Sequence, residues 1–204
     1  MTLRSSLQPR TWRRAIVQNR RLILFCALVM GVSMVGGYLD VDTGSVESQW
    51  GTGESPITGP GDLQISSLDL FQNNILVGTV ALLGTFLLSL PSIGILVMNG
   101  FFIGANIGIA SANGNLHILA ILVLPHGVLE IPAIWFAVAA SLRVTVSLLQ
   151  HLRGRTESVL TEETVENILS LVVLTVTMLA VAAIIEVQVT TRLIGYYLAA
   201  IVAL

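Results

Sequence analysis

The chain contains no lysine; all ten of its basic residues are arginine. Charge of either sign is scarce. Only 11% of the 204 residues are Asp, Glu, Lys or Arg, whereas a soluble domain carries about 25%. The formal net charge of −2 offers no basic surface for nucleic acid. One cysteine, Cys26, excludes an intramolecular disulfide and makes a cysteine-based metal site implausible. No phosphate-cradling glycine loop, Gly-x-Ser-x-Gly elbow or His-Glu-x-x-His helix is present. No repeat supports an inverted-repeat transporter. These absences leave no recognisable catalytic set and call for no cofactor or metal.

Hydrophobic residues make up 54% of the chain. They fall into runs of the length a bilayer requires, about 20 residues per helix. The fold class expected is all-α: a polytopic transmembrane bundle with about six spanning helices. The spans are placed at 22–38, 73–90, 93–111, 116–142, 165–187 and 189–204, the last being short. Arg4, Arg10, Arg13, Arg14, Arg20 and Arg21 precede the first run. That run is too long for a signal peptide and lacks a clean cleavage site, so the positive-inside rule puts the N-terminus in the cytoplasm. Leu7, Trp12 and Ile16 suggest a short interfacial helix within 1–21.

An acidic stretch without a basic residue, 39–70, fits an external loop. Arg143, Arg153 and Arg155 fit a cytoplasmic loop at 143–165. Thr161, followed by Glu162 and Glu163, reads as a helix N-cap with acids in its first turn. The chain therefore divides into a basic cytoplasmic segment, 1–21, and one transmembrane domain, 22–204, with both termini cytoplasmic.

Two stretches break the apolar pattern. In the third span Gly100, Gly104 and Gly108 recur every four residues, a smooth ridge for close helix packing. Asn99 and Asn106 share a face beside it. In the fourth span Pro125, His126, Gly127 and Glu130 place a helix breaker, an imidazole and a carboxylate at membrane depth. Pro125 and Gly127 predict a break or kink. His126 and Glu130 are i,i+4 and face one side of a helix. At about 1.5 Å per residue, Asn99 matches the depth of Glu130, and Asn106 that of His126. The expectation is that spans three and four pack through the glycine ridge and share a polar cluster of Asn99, Asn106, His126 and Glu130. Such a cluster can fix helix register, carry a proton or ion, or act as an acid/base pair. Two ligands four residues apart are too few for zinc. Glu186 and His151 are expected to be solvated.

The order Asn99-Gly100-Phe101-x-x-Gly104, then Pro125-His126-Gly127-x-x-Glu130 about 26 residues on, resembles the stage II sporulation protein M family. Phe71-Gln72-Asn73-Asn74 and the basic N-terminus fit as well, with Ile131 standing where the family pattern has leucine. The resemblance implies a polytopic helical membrane protein. It further implies a role like that of the family's namesake, which anchors a complex with cell-wall-degrading enzymes during engulfment. The function expected is a non-enzymatic scaffold in the cell membrane. Its partners would be lipid, other envelope proteins and further copies of the chain. A transporter or channel subunit using His126 and Glu130 is the alternative, and an intramembrane hydrolase a more remote one.

Overall fold

The computed structural model describes residues 9–41, 76, 78–81, 83–190, 192–193 and 195–196, and among these every regular element is helical. Helices α1 (Pro9–Leu39), α2 (Leu90–Ala112), α3 (Leu116–Leu152) and α4 (Glu162–Ile185) form the bundle. A 3-10 turn, Gly84–Leu87, leads into α2, and a π-helical turn, Glu186–Thr190, continues α4. All four long helices have the length and apolarity to cross a membrane. The predicted second span, 73–90, is described in part, with residues 76, 78–81 and 83 helical. The acidic loop beyond Val41 and most of the predicted span 189–204 lie outside the described residues.

The termini follow from local chemistry. Thr161 caps α4, its hydroxyl accepting the Thr164 N–H at 3.2 Å. Gly114, at φ +69°, lets the chain close a three-residue turn, Asn113–Asn115, where the Asn115 N–H reaches Ala110 O at 2.8 Å. Entry to α2 is more strained. Leu88 and Ser89 sit consecutively in the left-handed region, at φ 51° and 59°, each at a cost of about 1–3 kcal/mol that the surroundings must offset.

Two helices overrun their predicted spans. α1 begins at Pro9, so the basic segment is one helix with the membrane span rather than a separate interfacial piece. α3 runs to Leu152 and α4 begins at Glu162, so of the arginine-bearing loop predicted at 143–165 only 153–161 lies between helices. Their 31 and 37 residues give rods of about 46 and 55 Å, well beyond the roughly 30 Å hydrocarbon core. α3 is also continuous through Pro125, Gly127 and Pro132, so of the break or kink expected there the break is absent. A proline removes one donor. In hydrocarbon no water competes for the remaining backbone groups, so the flanking turns hold.

The direction of the helices is readable from their contacts. Met30 O, Met34 O and Tyr38 O of α1 lie against Gly100, Gly104 and Gly108 of α2 in turn. Both numbers advance by four together, so α1 and α2 run parallel. Arg14 meets Glu163 and Gln18 meets Asn167 in the same way, making α4 parallel to α1. α3 lies between two short reversals and runs opposite. Cys26 and Met30 of α1, Ala81, Leu96 of α2, and Ile134 and Val138 of α3 form the main core. Ala15, Ala140 and Leu171 form a second one, nearer the end where α1 begins. Leu24, Leu28 and Val32 are exposed on the outer face of α1, as lipid contact requires. With no hydrophobic drive between helices in lipid, close packing and hydrogen bonds hold the bundle.

Candidate functional site

Residues on one face of a helix meet only if their side chains have no better partner nearby. On α3, His126 and Glu130 do meet: Nε2 lies 4.0 Å from Oε2, with both side chains largely covered, at 12% and 26% exposure. The His126 Nδ1 is buried with no hydrogen-bond partner. Glu186, which opens the π-helical turn, is half-buried and acts electrostatically on Glu130. Glu186 thus lies within electrostatic range of the pair and is only partly exposed, where the sequence pointed to a solvated residue. Single π turns often occur at functional positions. The buried Thr190 hydroxyl at the end of that turn also lacks a partner. An imidazole and two carboxylates in low dielectric can hold or pass a proton. Among the described residues no three His, Cys, Asp or Glu side chains are grouped to hold a metal ion.

The asparagines are elsewhere. Asn99 donates to Ile95 O at 2.8 Å and Asn106 to Phe102 O at 2.7 Å, each one turn back on α2. Their amide donors are thus satisfied locally and need no partner from α3. Among the described residues no hydrogen bond joins either asparagine to His126 or Glu130. Asn106 instead lines a recess of about 500 Å³ between α2 and α3, walled by Ile103, Leu119 and Val123. The two helices are parted where the shared cluster was expected.

The glycine ridge faces α1, which corrects its expected pairing with the fourth span. A Cβ on Gly104 would lie 1.9 Å from Met34 O, and one on Gly100 2.6 Å from Met30 O. α1 reciprocates: a Cβ on Gly37 would lie 2.0 Å from Phe101 O. Ser33 Oγ completes the seam by donating to Val97 O at 2.6 Å. The backbones approach because at each of these points one of the two helices carries a glycine, which leaves room for the other's carbonyl.

A buried hydroxyl network went unread in the sequence. Ser141 Oγ on α3 is within 3.0 Å of Thr85 Oγ1, 2.8 Å of Ser89 Oγ and 2.9 Å of Ser92 Oγ. Ser89 also meets Thr145 at 2.7 Å, and Ser92 donates to Ala81 O. These bonds fasten the left-handed turn at Leu88–Ser89 to α3 and help offset its strain. The signal available was spacing: Thr85, Ser89 and Ser92, and Ser141 and Thr145, are each set three or four apart. Toward the same end, Glu163 accepts from Arg14 at 2.5 Å and Gln18 at 2.8 Å, and Asn167 donates to Gln18. Glu163 lies in the polar first turn of α4, ahead of the apolar stretch from Val165. The Gln18 amide and the Arg14 guanidinium hold its carboxyl below the usual carboxylate range.

The chain is 30% identical over 138 residues to an uncharacterized protein of Methanocaldococcus jannaschii, covering 67% of this chain and 78% of that one. No solved structure matches. The family model described as stage II sporulation protein M matches residues 17–191. The chain belongs to the stage II sporulation protein M family.

Proposed function

We propose that this protein is a non-enzymatic, multi-pass scaffold of the cell membrane that binds other envelope proteins. The observation that carries the reading is the braced polar end of the bundle. α1 and α3 outlast the hydrocarbon core, and Arg14, Gln18, Glu163 and Asn167 tie α1 to the start of α4 there. A rigid polar platform held out of the bilayer suits docking better than chemistry. The parallel register of α1 and α2 supports a return crossing between them, one of the six spans of this reading, in which both termini are cytoplasmic. On this reading 22–204 is one transmembrane domain, 1–21 the start of the platform, and 39–70 an external acidic loop.

The test is affinity capture of the full chain in mild detergent. A scaffold recovers the same stoichiometric envelope partner repeatedly, loses it in Arg14→Ala/Glu163→Ala, and keeps it in the lipid-facing variant Leu28→Ala. Repeated recovery of no stoichiometric partner refutes the reading.

A second reading has its own support. His126 and Glu130 pair under cover of the bundle, with Glu186 acting on Glu130 through its field, as a proton or ion site of a transporter subunit would require. Flux into proteoliposomes that is abolished in Glu130→Gln favours it; flux unchanged in Glu130→Gln and His126→Ala disposes of it.

A further inference from the structure

Three arginines converge where α1 and α3 leave the apolar zone. Arg20, Arg21 and Arg143, with Gln18, line a recess of about 580 Å³ whose remaining wall includes Val17 and Val146. Among the described residues, no carboxylate forms a close ion pair with any of the three guanidiniums; Arg143 acts on Glu163 only through its longer-range field. The nearby Glu163 is already engaged by Arg14 and Gln18. The Arg143 Nε is buried with no hydrogen-bond partner. A buried, unpaired donor on a cation is costly, and an anionic oxygen in the recess would remove that cost.

We propose that this recess binds the phosphate of an anionic phospholipid in the leaflet at the platform end. The geometry fits that ligand in two parts. The guanidiniums give forked donors for phosphate oxygens. Val17 and Val146 give an apolar wall where the glycerol and first acyl carbons would lie. The recess begins just ahead of Leu22, where the apolar run starts, so its depth matches that of a headgroup. Basic pockets between membrane helices recognise anionic headgroups in this way. The site depends on the membrane-helical fold, not on the scaffold reading.

Native mass spectrometry of the full chain, released from nanodiscs of equal phosphatidylglycerol and phosphatidylcholine, tests it. The chain retains phosphatidylglycerol selectively. Arg143→Gln lowers that selectivity about fivefold, and Arg20→Gln/Arg21→Gln lowers it about fivefold per arginine. Arg143→Lys keeps part of it, and the exposed loop variant Arg153→Gln keeps all of it. Equal retention of the two lipids by the unaltered chain overturns the proposal, as does selectivity that survives the triple Arg→Gln change. Inorganic phosphate is the discriminating arm. If it binds the chain in phosphatidylcholine nanodiscs and displaces phosphatidylglycerol, the site serves a soluble anion and the lipid assignment fails.

Discussion

Replacing Gly104 with alanine adds one methyl group, and the seam between α1 and α2 has no room for it. The new Cβ would stand 1.9 Å from Met34 O, 2.6 Å from Met34 C and 2.8 Å from Met34 Cα. Real Cβ atoms essentially never approach closer than 3.0 Å, so the helices must part by about 1.1 Å. Moving apart that far stretches the neighbouring Ser33 Oγ to Val97 O bond from 2.6 Å to about 3.7 Å, past hydrogen-bond range. Overpacking costs about 1–3 kcal/mol and the lost bond about 1 kcal/mol. Alanine returns about 1 kcal/mol of helix propensity. The net expectation is destabilisation of roughly 2 kcal/mol. Gly31 and Gly36 lie on the same helix pair but meet nothing within 4 Å. Alanine there keeps the propensity gain and is neutral or stabilising. Unfolding free energy, measured by steric trapping in bicelles, ranks the set: Gly104→Ala and Gly37→Ala lowest, Gly100→Ala next, Gly31→Ala and Gly36→Ala highest. Gly104→Ala matching Gly31→Ala in stability would refute the seam.

Ser141→Ala removes the hub that Thr85, Ser89 and Ser92 share; unfolding free energy falls by about 1–3 kcal/mol, whereas Thr177→Ala, whose hydroxyl bonds only its own helix and is exposed, changes little. The Glu163 clamp has a definite pH sign. Because Gln18 and Arg14 lower that carboxyl's pKa in the folded state, its contribution is whole above the ordinary carboxylate pKa and is lost as pH falls through the folded value. Proximity of the α1 and α4 ends, read by spin-label distances, is therefore constant near neutrality and loosens on acidification, while Glu163→Gln is loose throughout and insensitive to pH. Trp135 donates its indole N–H to Met30 Sδ at 3.0 Å; Trp135→Phe frees that sulfur and removes the more buried emission component, red-shifting what remains, without altering helix content by circular dichroism.

Much of the architecture was legible because bilayers impose length and apolarity on a helix. The runs now seen in α1 to α4 stand out for that reason, as does the Thr161 cap. Helix ends were not legible. Arg10 to Arg21 read as part of a separate interfacial helix and Arg143 to His151 as loop, yet both continue the long helices α1 and α3, with Arg14 and Gln18 of α1 bonded to the start of α4. The proline at 125 marks a strong local rule that the continuous helix overrides. The glycine ridge was visible, but a ridge does not name its partner. Matched depth of the polar residues favoured α3, whereas the small residues Ser33 and Gly37 let α1 approach instead. His126 and Glu130 were readable as an i,i+4 pair. Their third neighbour, Glu186, was not, because nothing local to it reveals that α4 brings it back beside α3.

The seam between α1 and α2 joins residues seventy positions apart, such as Met34 and Gly104. The three-residue reversal from α2 to α3 joins neighbours that are parted by a recess along part of their length. Synthesis and tight packing thus proceed in different orders. α1 is made first and must wait without its closest partner until α2 has been made. Closure of the most intimate interface is the late, non-local step of assembly. The glycines of α1 therefore face lipid during biogenesis, and any partner or insertase that shelters this face early would set the yield of folded protein without touching the finished molecule.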